Sequence, residues 1–253
     1  MTTTKKEIKQ YYDSLSGEKL NDYIYGNPRI SEAWKTIIKY APENVSNVLE
    51  IGCGIGQTIN RLSKKWPEAR FTGLDISGES IRIARILFGA KNISFVEGIL
   101  QAEIISEKYD LILMVDVYEH IEKQDRTEFH KNLKNILTET GRIIFNIPTP
   151  RLLDYLTKFE PSSVQPVDEA IDNDVINKLI NETGTEMVFY KEKKIYRYGD
   201  YVHLVLARPQ ENWTYLARNS FAKKLSNRIK YYFFLPFNKL KKWYLLRKIR
   251  TLS

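Results

Sequence analysis

The chain has 253 residues, of which 43% are hydrophobic, so it is long and apolar enough to bury the core of one α/β domain. Its single cysteine, Cys53, excludes an internal disulfide framework and is typical of a reducing compartment. The N-terminal residues contain no apolar stretch of the secretory kind, and no run approaches the roughly 20 apolar residues of a membrane-spanning helix. The sequence therefore predicts neither a secretory signal nor a transmembrane helix.

The net charge of +8 is concentrated at the C-terminal end of the chain. Residues 212–253 hold eleven of the 39 Lys and Arg residues and none of the 31 Asp and Glu residues. The remainder is close to neutral, which indicates one domain with a basic appendage. We divide the chain into a helical N-terminal segment at 1–45, a domain at 46–209 and a tail at 210–253.

Residues 47–56, NVLEIGCGIG, predict a buried parallel strand followed by a glycine turn. The glycines remove side chains where a ligand must lie against the backbone. A helix is predicted at residues 57–65, and its first N–H groups favour an anionic group. The next strand ends at Asp75, nineteen residues past Gly56, and its carboxylate can accept hydrogen bonds from ribose hydroxyls. Together these elements predict a nucleoside-binding βαβ unit.

The glycine pattern is E-x-G-x-G-x-G, whereas a nicotinamide site requires G-x-G-x-x-G. With Asp75, it resembles the S-adenosylmethionine site of the class I methyltransferases. The string YDLILMVDVYEHI at 109–121 is similar to the UbiG-like branch of that family, and GRIIFNIP at 141–148 resembles its fifth signature. The third signature is similar to ISFVEGIL, except that Ile99 replaces the acid that often meets the adenine amine. Backbone amides of Ile99 and Leu100 remain to bind the ring.

This resemblance covers roughly residues 46–207 and implies S-adenosylmethionine as the cofactor, with no metal. Arg29 is expected to pair with the carboxylate of the donor. The cofactor-binding residues that the resemblance implies are Glu50, Gly52, Gly54, Gly56, Asp75, Ile76, Gly98, Ile99, Leu100, Val115 and Arg29.

Strands alternate with helical patterns along the domain, which predicts a Rossmann-like, doubly wound α/β sheet that is mostly parallel. Further helices are predicted at residues 30–40, 79–88, 125–137 and 172–182. Gly141 is predicted to stop the third of these. The final strands are predicted at 186–195 and 201–207, and the resemblance implies that the last one is antiparallel.

A proline-containing insertion follows the fifth signature, at about residues 149–170. Ligands bind beyond the carboxyl ends of parallel strands, so we expect this insertion to form part of the acceptor wall. The alternative is an ordinary surface connection.

Methyl transfer to a hydroxyl requires alignment and removal of a proton. His120 follows the fourth strand, where a general base is expected, and Asp116 or Glu119 would orient it or contact the ammonium group of the donor. The alternative is that His120 only shapes the cofactor pocket. His130, on a predicted helix, is expected to face solvent. The candidate acceptor-site residues are Tyr12, Tyr25, Tyr198, Tyr201 and His203.

Some of these acceptor-site residues have a second interpretation. His203 alternates with apolar neighbours, which also suits a buried sheet histidine. Residues 22–34 contain a Tyr-x-Asn-Pro-Arg core that resembles methyltransferases of sugar and polysaccharide tailoring. The alternative for this segment is a surface helix cap with Pro28 in its first turn.

The tail places aromatic and aliphatic residues at helical spacing among its basic residues, with the contiguous run YYFFLPF at 231–237. This composition predicts an amphipathic segment that binds an anionic membrane surface. Binding of single-stranded nucleic acid and packing on the chain's own domain are the alternatives. We therefore expect a cytoplasmic protein that is peripheral at the inner face of the membrane, with nucleic acid less favoured as a partner.

The resulting prediction is an S-adenosylmethionine-dependent methyltransferase that is O-directed and acts on a sugar or a lipid-linked glycan. Methylation of exocyclic base amines is disfavoured, because the family's Asn/Asp-Pro-Pro-aromatic motif is replaced by residues 116–119, DVYE. One alternative is a quinone or small-phenol O-methyltransferase. Another is a non-catalytic binding module that retains the fold and uses its tail to contact lipid or RNA.

Overall fold

The computed structural model describes residues 4–197, 199–209, 233 and 236. Three helices lead the chain: α1 Lys5–Ser14, α2 Ser16–Tyr25 and α3 Pro28–Tyr40. The side chain of Asn27 accepts a hydrogen bond from the backbone N–H of Arg29, and Pro28 occupies the first turn of α3. Both features are stabilising at a helix N-terminus, so this local sequence fixes where α3 begins.

Seven strands form one sheet in the order β3-β2-β1-β4-β5-β7-β6. All neighbouring strands pair in parallel except those beside β7, which runs antiparallel to both β5 and β6. This confirms the Rossmann-like, mostly parallel sheet with an antiparallel last strand. The strands are β1 Asn47–Ile51, β2 Arg70–Asp75, β3 Ile93–Glu97, β4 Tyr109–Val115, β5 Leu137–Pro148, β6 Glu186–Lys193 and β7 Tyr201–Ala207.

Helices cover both faces of the sheet, because alternate strand residues bury apolar side chains in two separate clusters. One cluster includes the apolar stripes of α3, α4 and α5, and the other those of α6 and α8. The helices after β1 are α4 Gln57–Lys65, α5 Gly78–Phe88, α6 Arg126–Ile136, α7 Pro150–Phe159 and α8 Asn173–Thr183.

The prediction that Gly141 stops a helix is wrong. Helix α6 ends at Ile136, and Gly141 lies inside β5, which begins at the buried Leu137. A Cβ atom on Gly141 would lie 2.6 Å from Cδ1 of Leu137, so close packing accounts for the glycine. The pairing of β4 with β5 shifts register near this point, which obscured the strand pattern in the sequence.

The insertion after β5 folds as α7, a short 3₁₀ turn at Pro161–Ser163 and an extended segment that reaches α8. Thr149 caps α7 by accepting a hydrogen bond from the N–H of Leu152. Residues as far as Pro209 belong to one compact unit. Among the described residues, no helix is both long and apolar enough to cross a bilayer. Apart from Phe233 and Pro236, the predicted basic tail lies outside the described residues.

Candidate active site

A cavity of about 660 Å³ opens at the carboxyl ends of β1, β2 and β4. Helices α1, α2 and α3 contribute to its wall, with side chains that include Tyr12, Lys19 and Arg29. The sequence-predicted residues that line it are Tyr12, Arg29, Glu50, Gly52, Gly54, Asp75, Ile76, Gly98, Ile99, Leu100, Val115, Asp116 and His120. The fold therefore gathers most of the predicted cofactor and catalytic residues at one end of the sheet.

The glycine turn after β1 has two different roles. Gly52 has a φ of 70°, and a Cβ atom there would lie 2.3 Å from Cγ2 of Val117, which follows β4. Gly56 also has positive φ, but it lies outside the cavity lining, and its missing Cβ makes room for Phe95 and Ala84. The structure thus gives Gly56 a packing role beside β3 and α5, and its contact with the cofactor stays a prediction.

Asp75 lies at the end of β2, where its carboxylate is anchored by the backbone. Its two oxygens accept hydrogen bonds from the N–H groups of Gly54 at 2.7 Å and Ser77 at 2.9 Å. Nζ of Lys19, a residue that the sequence reasoning missed, lies 3.7 Å from Oδ2 of Asp75. Lys19 comes from α2, and no local pattern links it to β2. Each carboxylate oxygen has a further lone pair, so Asp75 can still accept bonds from a ligand.

Glu50 is buried near the carboxyl end of β1. Burial raises the pKa of Glu50 to about 8, although hydrogen bonds from Thr58 and the N–H of Ile59 act in the opposite direction. Within the described part of the chain, its Oε2 atom has no hydrogen-bond partner. A buried polar atom without a partner is costly, so this oxygen favours a hydrogen-bonding ligand in the cavity.

Arg29 and Asp116 form an ion pair at 2.9 Å across the cavity wall. Asp116 is the residue with positive φ among the described non-glycine residues, at 55°, and its side chain is held by Arg29. Arg29 also donates a hydrogen bond to the hydroxyl of Tyr201 at 3.3 Å. The attraction of Asp116 raises the pKa of Arg29 above its usual range. One N–H group of Arg29 is thus committed to Asp116, and Asp116 orients Arg29 in this structure.

His120 lies on a short 3₁₀ turn, Tyr118–His120, directly after β4. Its Nδ1 atom lies 2.7 Å from the carbonyl oxygen of Val167 and 3.0 Å from Oδ1 of Asp168, and its Nε2 atom lies 3.8 Å from Oε1 of Glu119. Burial lowers the pKa of His120, but the charge of Glu119 and the bonds to Asp168 and Val167 outweigh it and raise the pKa to about 9. Burial raises the pKa of Glu119 to about 7.

Asp168 was not singled out in the sequence, because it lies in the insertion after β5, far along the chain from His120. The one sequence signal that pointed toward Asp168 is the expectation that the insertion forms part of the acceptor wall. Gln165 of the same segment does line the cavity.

Among the described residues, the remaining acceptor candidates lie outside the cavity lining. Tyr25 is 84% exposed and lies outside the cavity lining. Tyr201 also lies outside the lining, and its hydroxyl accepts a hydrogen bond from Arg29. His203 is fully buried in β7, where its Nδ1 atom lies 2.6 Å from the hydroxyl of Thr36. This placement agrees with the alternative interpretation of His203 as a buried sheet histidine. Burial lowers the pKa of His203 to about 4. Tyr198 lies outside the described residues.

The expectation that His130 faces solvent is wrong, because it is completely buried. Its two nitrogens lie 2.7 Å from the hydroxyl of Tyr118 and 2.6 Å from Oε2 of Glu182. Burial lowers the pKa of His130. This residue connects α6 with α8 and lies outside the cavity lining.

Contacts between the first and last parts of the domain hold the cavity wall in place. Besides the Arg29–Tyr201 and Thr36–His203 bonds, Nζ of Lys193 lies 3.4 Å from Oε2 of Glu32. Helix α3 is thus fastened to β6 and β7. Among the described residues, no group of three or more His, Cys, Asp or Glu side chains is arranged to hold a metal ion.

The family profile described as "Methyltransferase domain" matches residues 48–141. The chain is 26% identical to a malonyl-[acyl-carrier protein] O-methyltransferase of Acetivibrio thermocellus over 108 residues. This aligned region is 43% of this chain and 38% of the relative. It thus spans about two fifths of the length of that curated relative.

Solved structures resemble the whole fold. One chain of the complex between the Haloferax volcanii Trm112 methyltransferase activator and a methyltransferase has a TM-score of 0.65 at 14% identity, covering 81% of this chain and 99% of that chain. The magnesium protoporphyrin IX methyltransferase of Synechocystis PCC 6803, with bound S-adenosylhomocysteine (SAH), has a TM-score of 0.58 at 19% identity. The match covers 81% of this chain and 99% of that enzyme. Residues 48–141 therefore match a methyltransferase domain, and the fold of the chain resembles that of a methyltransferase solved with bound SAH.

Proposed function

We propose that this chain binds S-adenosylmethionine in the cavity and transfers the methyl group to a hydroxyl of a small-molecule acceptor. The observation that carries the proposal is that one cavity joins the glycine turn and Asp75 to His120. A volume of about 660 Å³ lies within the range typical of small-molecule and cofactor sites.

The residues present fit the cofactor. The unpartnered Oε2 atom of Glu50 would form a hydrogen bond with the donor molecule. Asp75 would accept hydrogen bonds from the ribose hydroxyls, either together with its contact to Lys19 or in place of it. The N–H groups of Ile99 and Leu100 would bind the adenine edge. When bound, the donor supplies an activated methyl group on a sulfonium. The tasks left to this chain are alignment and acceptance of a proton.

The charge of the cavity favours a cationic donor and opposes an anionic acceptor. Carboxyl groups outnumber basic side chains in the lining, where the basic side chains are Lys19, Arg29 and His120. This excess supports a neutral hydroxyl as the acceptor. The carboxyl groups belong to Glu18, Asp22, Glu50, Asp75, Glu103, Asp116, Glu122, Asp125 and Glu128.

A sugar hydroxyl, or one on a lipid-linked glycan, is the first acceptor class. It is supported by the resemblance of residues 22–34 to sugar-tailoring enzymes, since Asp22, Asn27 and Arg29 of that segment line the cavity. A phenol, as in the UbiG-like interpretation, is the second. With a pKa of about 9, His120 is mainly neutral, and so able to accept a proton, only above about pH 9; a phenol, whose ordinary pKa is about 10, gives up its proton more readily there than a sugar hydroxyl does. The remaining alternative is a non-catalytic binding module. Such a module would bind S-adenosylmethionine or SAH but would methylate neither a sugar nor a phenol.

Calorimetric titration of the full chain with S-adenosylmethionine and SAH tests the donor. We expect micromolar binding that Asp75→Ala weakens by about 100-fold, because charged hydrogen bonds to the ribose are lost. Asp154→Ala is the matched control, since Asp154 is an exposed acid on α7 that pairs with Lys158. Thermal unfolding of each variant separates lost binding from lost folding. If the full chain binds neither ligand, the donor proposal is wrong.

We place the protein at the inner, cytoplasmic face of the membrane, held there by the basic tail. Support comes from the composition of residues 212–253 alone. In a sedimentation assay, the full chain is expected to bind vesicles containing phosphatidylserine, and binding should fall as salt rises. A chain shortened after Gln210 should not bind. Equal binding by both chains would contradict a role for the tail, and binding to neutral vesicles alone would contradict the role of its charge.

A further inference from the structure

Residues 164–169 of the insertion place the carboxylate of Asp168 beside the imidazole ring of His120. Oδ1 of Asp168 lies 3.0 Å from Nδ1 of His120, and Oδ2 accepts a hydrogen bond from the N–H of Gln165 at 2.8 Å. The side chain of Asp168 is only 10% exposed. Both carboxylate oxygens therefore have a defined partner, and the side chain is held in one orientation toward the imidazole ring.

The segment is fastened on its other side by Glu169. The N–H of Glu169 donates to the carbonyl of Glu119 at 3.0 Å, while its carboxylate accepts from the N–H of Lys123 and pairs with Arg126, each at 3.0 Å. These contacts span both sides of His120 in the sequence. The position of Asp168 beside the ring is thus fixed by bonds that do not involve His120 itself.

The geometry also decides which nitrogen of His120 can accept a proton. The carbonyl oxygen of Val167 can only accept a hydrogen bond, so Nδ1, at 2.7 Å, carries the hydrogen. Above the pKa of His120, which is about 9, the ring is neutral and its lone pair lies on Nε2. None of the hydrogen bonds within the described residues uses Nε2, whose nearest charged neighbour is Glu119 at 3.8 Å.

The groups that face His120 come from four elements. Glu119 shares its 3₁₀ turn and is buried, with Oε2 unpartnered within the described residues. Asp116 precedes the turn and interacts with the charge of His120, although its nearest cation is Arg29. The ring of Tyr12 in α1 lies with its centroid 6.0 Å from that of the imidazole, tilted by 58°. Asp168 is the one carboxylate among these groups that contacts Nδ1 at hydrogen-bond distance.

We propose that Asp168 is a positioning residue that stabilises the imidazolium of His120 when Nε2 removes the hydroxyl proton of the acceptor. This inference rests on the proposed methyl transfer. The acceptor O–H bond breaks and its proton moves to Nε2, while the acceptor oxygen forms a bond to the methyl carbon. The carbon–sulfur bond of the sulfonium donor breaks, and its electron pair stays on sulfur. Val167 fixes the tautomer, and Asp168 supplies the compensating charge.

Nitrogen NMR of the full chain, labelled at its three histidines, tests this role without an acceptor. His120 is assigned by comparison with His120→Gln. In Asp168→Asn, we expect the pKa of His120 to fall by about one unit or more, because a neighbouring negative charge is removed. The Nδ1-protonated tautomer should persist, because the carbonyl of Val167 is unchanged. Glu160→Gln is the matched control: it removes one charge from the same insertion, where Glu160 pairs with Arg197 near the surface.

An unchanged pKa of His120 in Asp168→Asn would overturn the proposal, and so would an equal fall in Glu160→Gln. Titration of the same variants with S-adenosylmethionine keeps this result separate from the proposed function. If wild-type chain fails to bind the donor while the pKa of His120 still responds to Asp168, methyl transfer is wrong and the pairing of the two residues stands. If all variants bind the donor equally but the pKa does not respond, the role of Asp168 alone is wrong.

Discussion

Gly52→Ala is expected to lower the free energy of unfolding by about 2–5 kcal/mol. Two effects add. An alanine at a φ of 70° is strained by its Cβ atom, and that atom would lie 2.3 Å from Cγ2 of Val117. The turn then has to move at the point where β1 meets the cavity, so binding of S-adenosylmethionine should be lost together with stability. Chemical denaturation and calorimetric titration of the same protein measure the two effects.

Two further variants sharpen this prediction. Gly17→Ala is the control, because Gly17 lies in α2 and no atom lies within 4 Å of the place that an alanine Cβ would take. This change should be neutral or stabilising by up to about 1 kcal/mol. Val117→Ala combined with Gly52→Ala removes the clash but keeps the backbone strain, so it should recover part of the loss. Unfolding of Gly52→Ala at the wild-type midpoint would show that the turn tolerates a side chain.

Arg29→Met is expected to cost about 3 kcal/mol, the lower end of the range for breaking a buried ion pair, because Arg29 is 31% exposed. The change leaves Asp116 without its 2.9 Å partner in a wall where other carboxyl groups already predominate. It also removes the bond to Tyr201. Denaturant unfolding measures the loss, and the loss should be greatest above the pKa of Asp116, where the uncompensated charge is present.

The double variant Arg29→Met with Asp116→Asn tests the cause. Asparagine tolerates positive φ and carries no charge, so the double variant should be more stable than Arg29→Met alone. If the two losses simply add, the charge of Asp116 is not what makes Arg29 important. Lys35→Met on the exposed face of α3 provides a matched cation control, and we expect it to change stability by less than about 1 kcal/mol.

The central βαβ unit could be predicted from local sequence because each of its signals is short-range. Helix α4 begins and ends as predicted at residues 57–65, and β7 occupies the predicted residues 201–207. Strong apolar periodicity and a glycine turn are enough for such elements. Gly141 misled the prediction because the same residue serves a turn in one context and close packing beside Leu137 in another.

The parts that could not be predicted depend on contacts between distant residues. His130 has the sequence of a surface helix position, yet Glu182 and Tyr118 satisfy both of its nitrogens in the interior. Asp168 meets His120 across 48 positions of sequence, and Lys19 meets Asp75 across 56. Neither pair leaves a periodic signal. The acceptor remains the hardest part to predict, because side chains from the helices and the insertion shape that end of the cavity.

The fastening of α3 to the final strands has a consequence for the order in which the protein is made. Glu32, Arg29 and Thr36 leave the ribosome early, but their partners Lys193, Tyr201 and His203 emerge more than 150 residues later. The N-terminal wall therefore lacks these attachments until nearly the whole domain has been synthesised. The sheet centre, built from consecutive βα units, has its partners much sooner. The wall that α3 contributes to the cavity is consequently fastened late, although its residues are among the first to be translated.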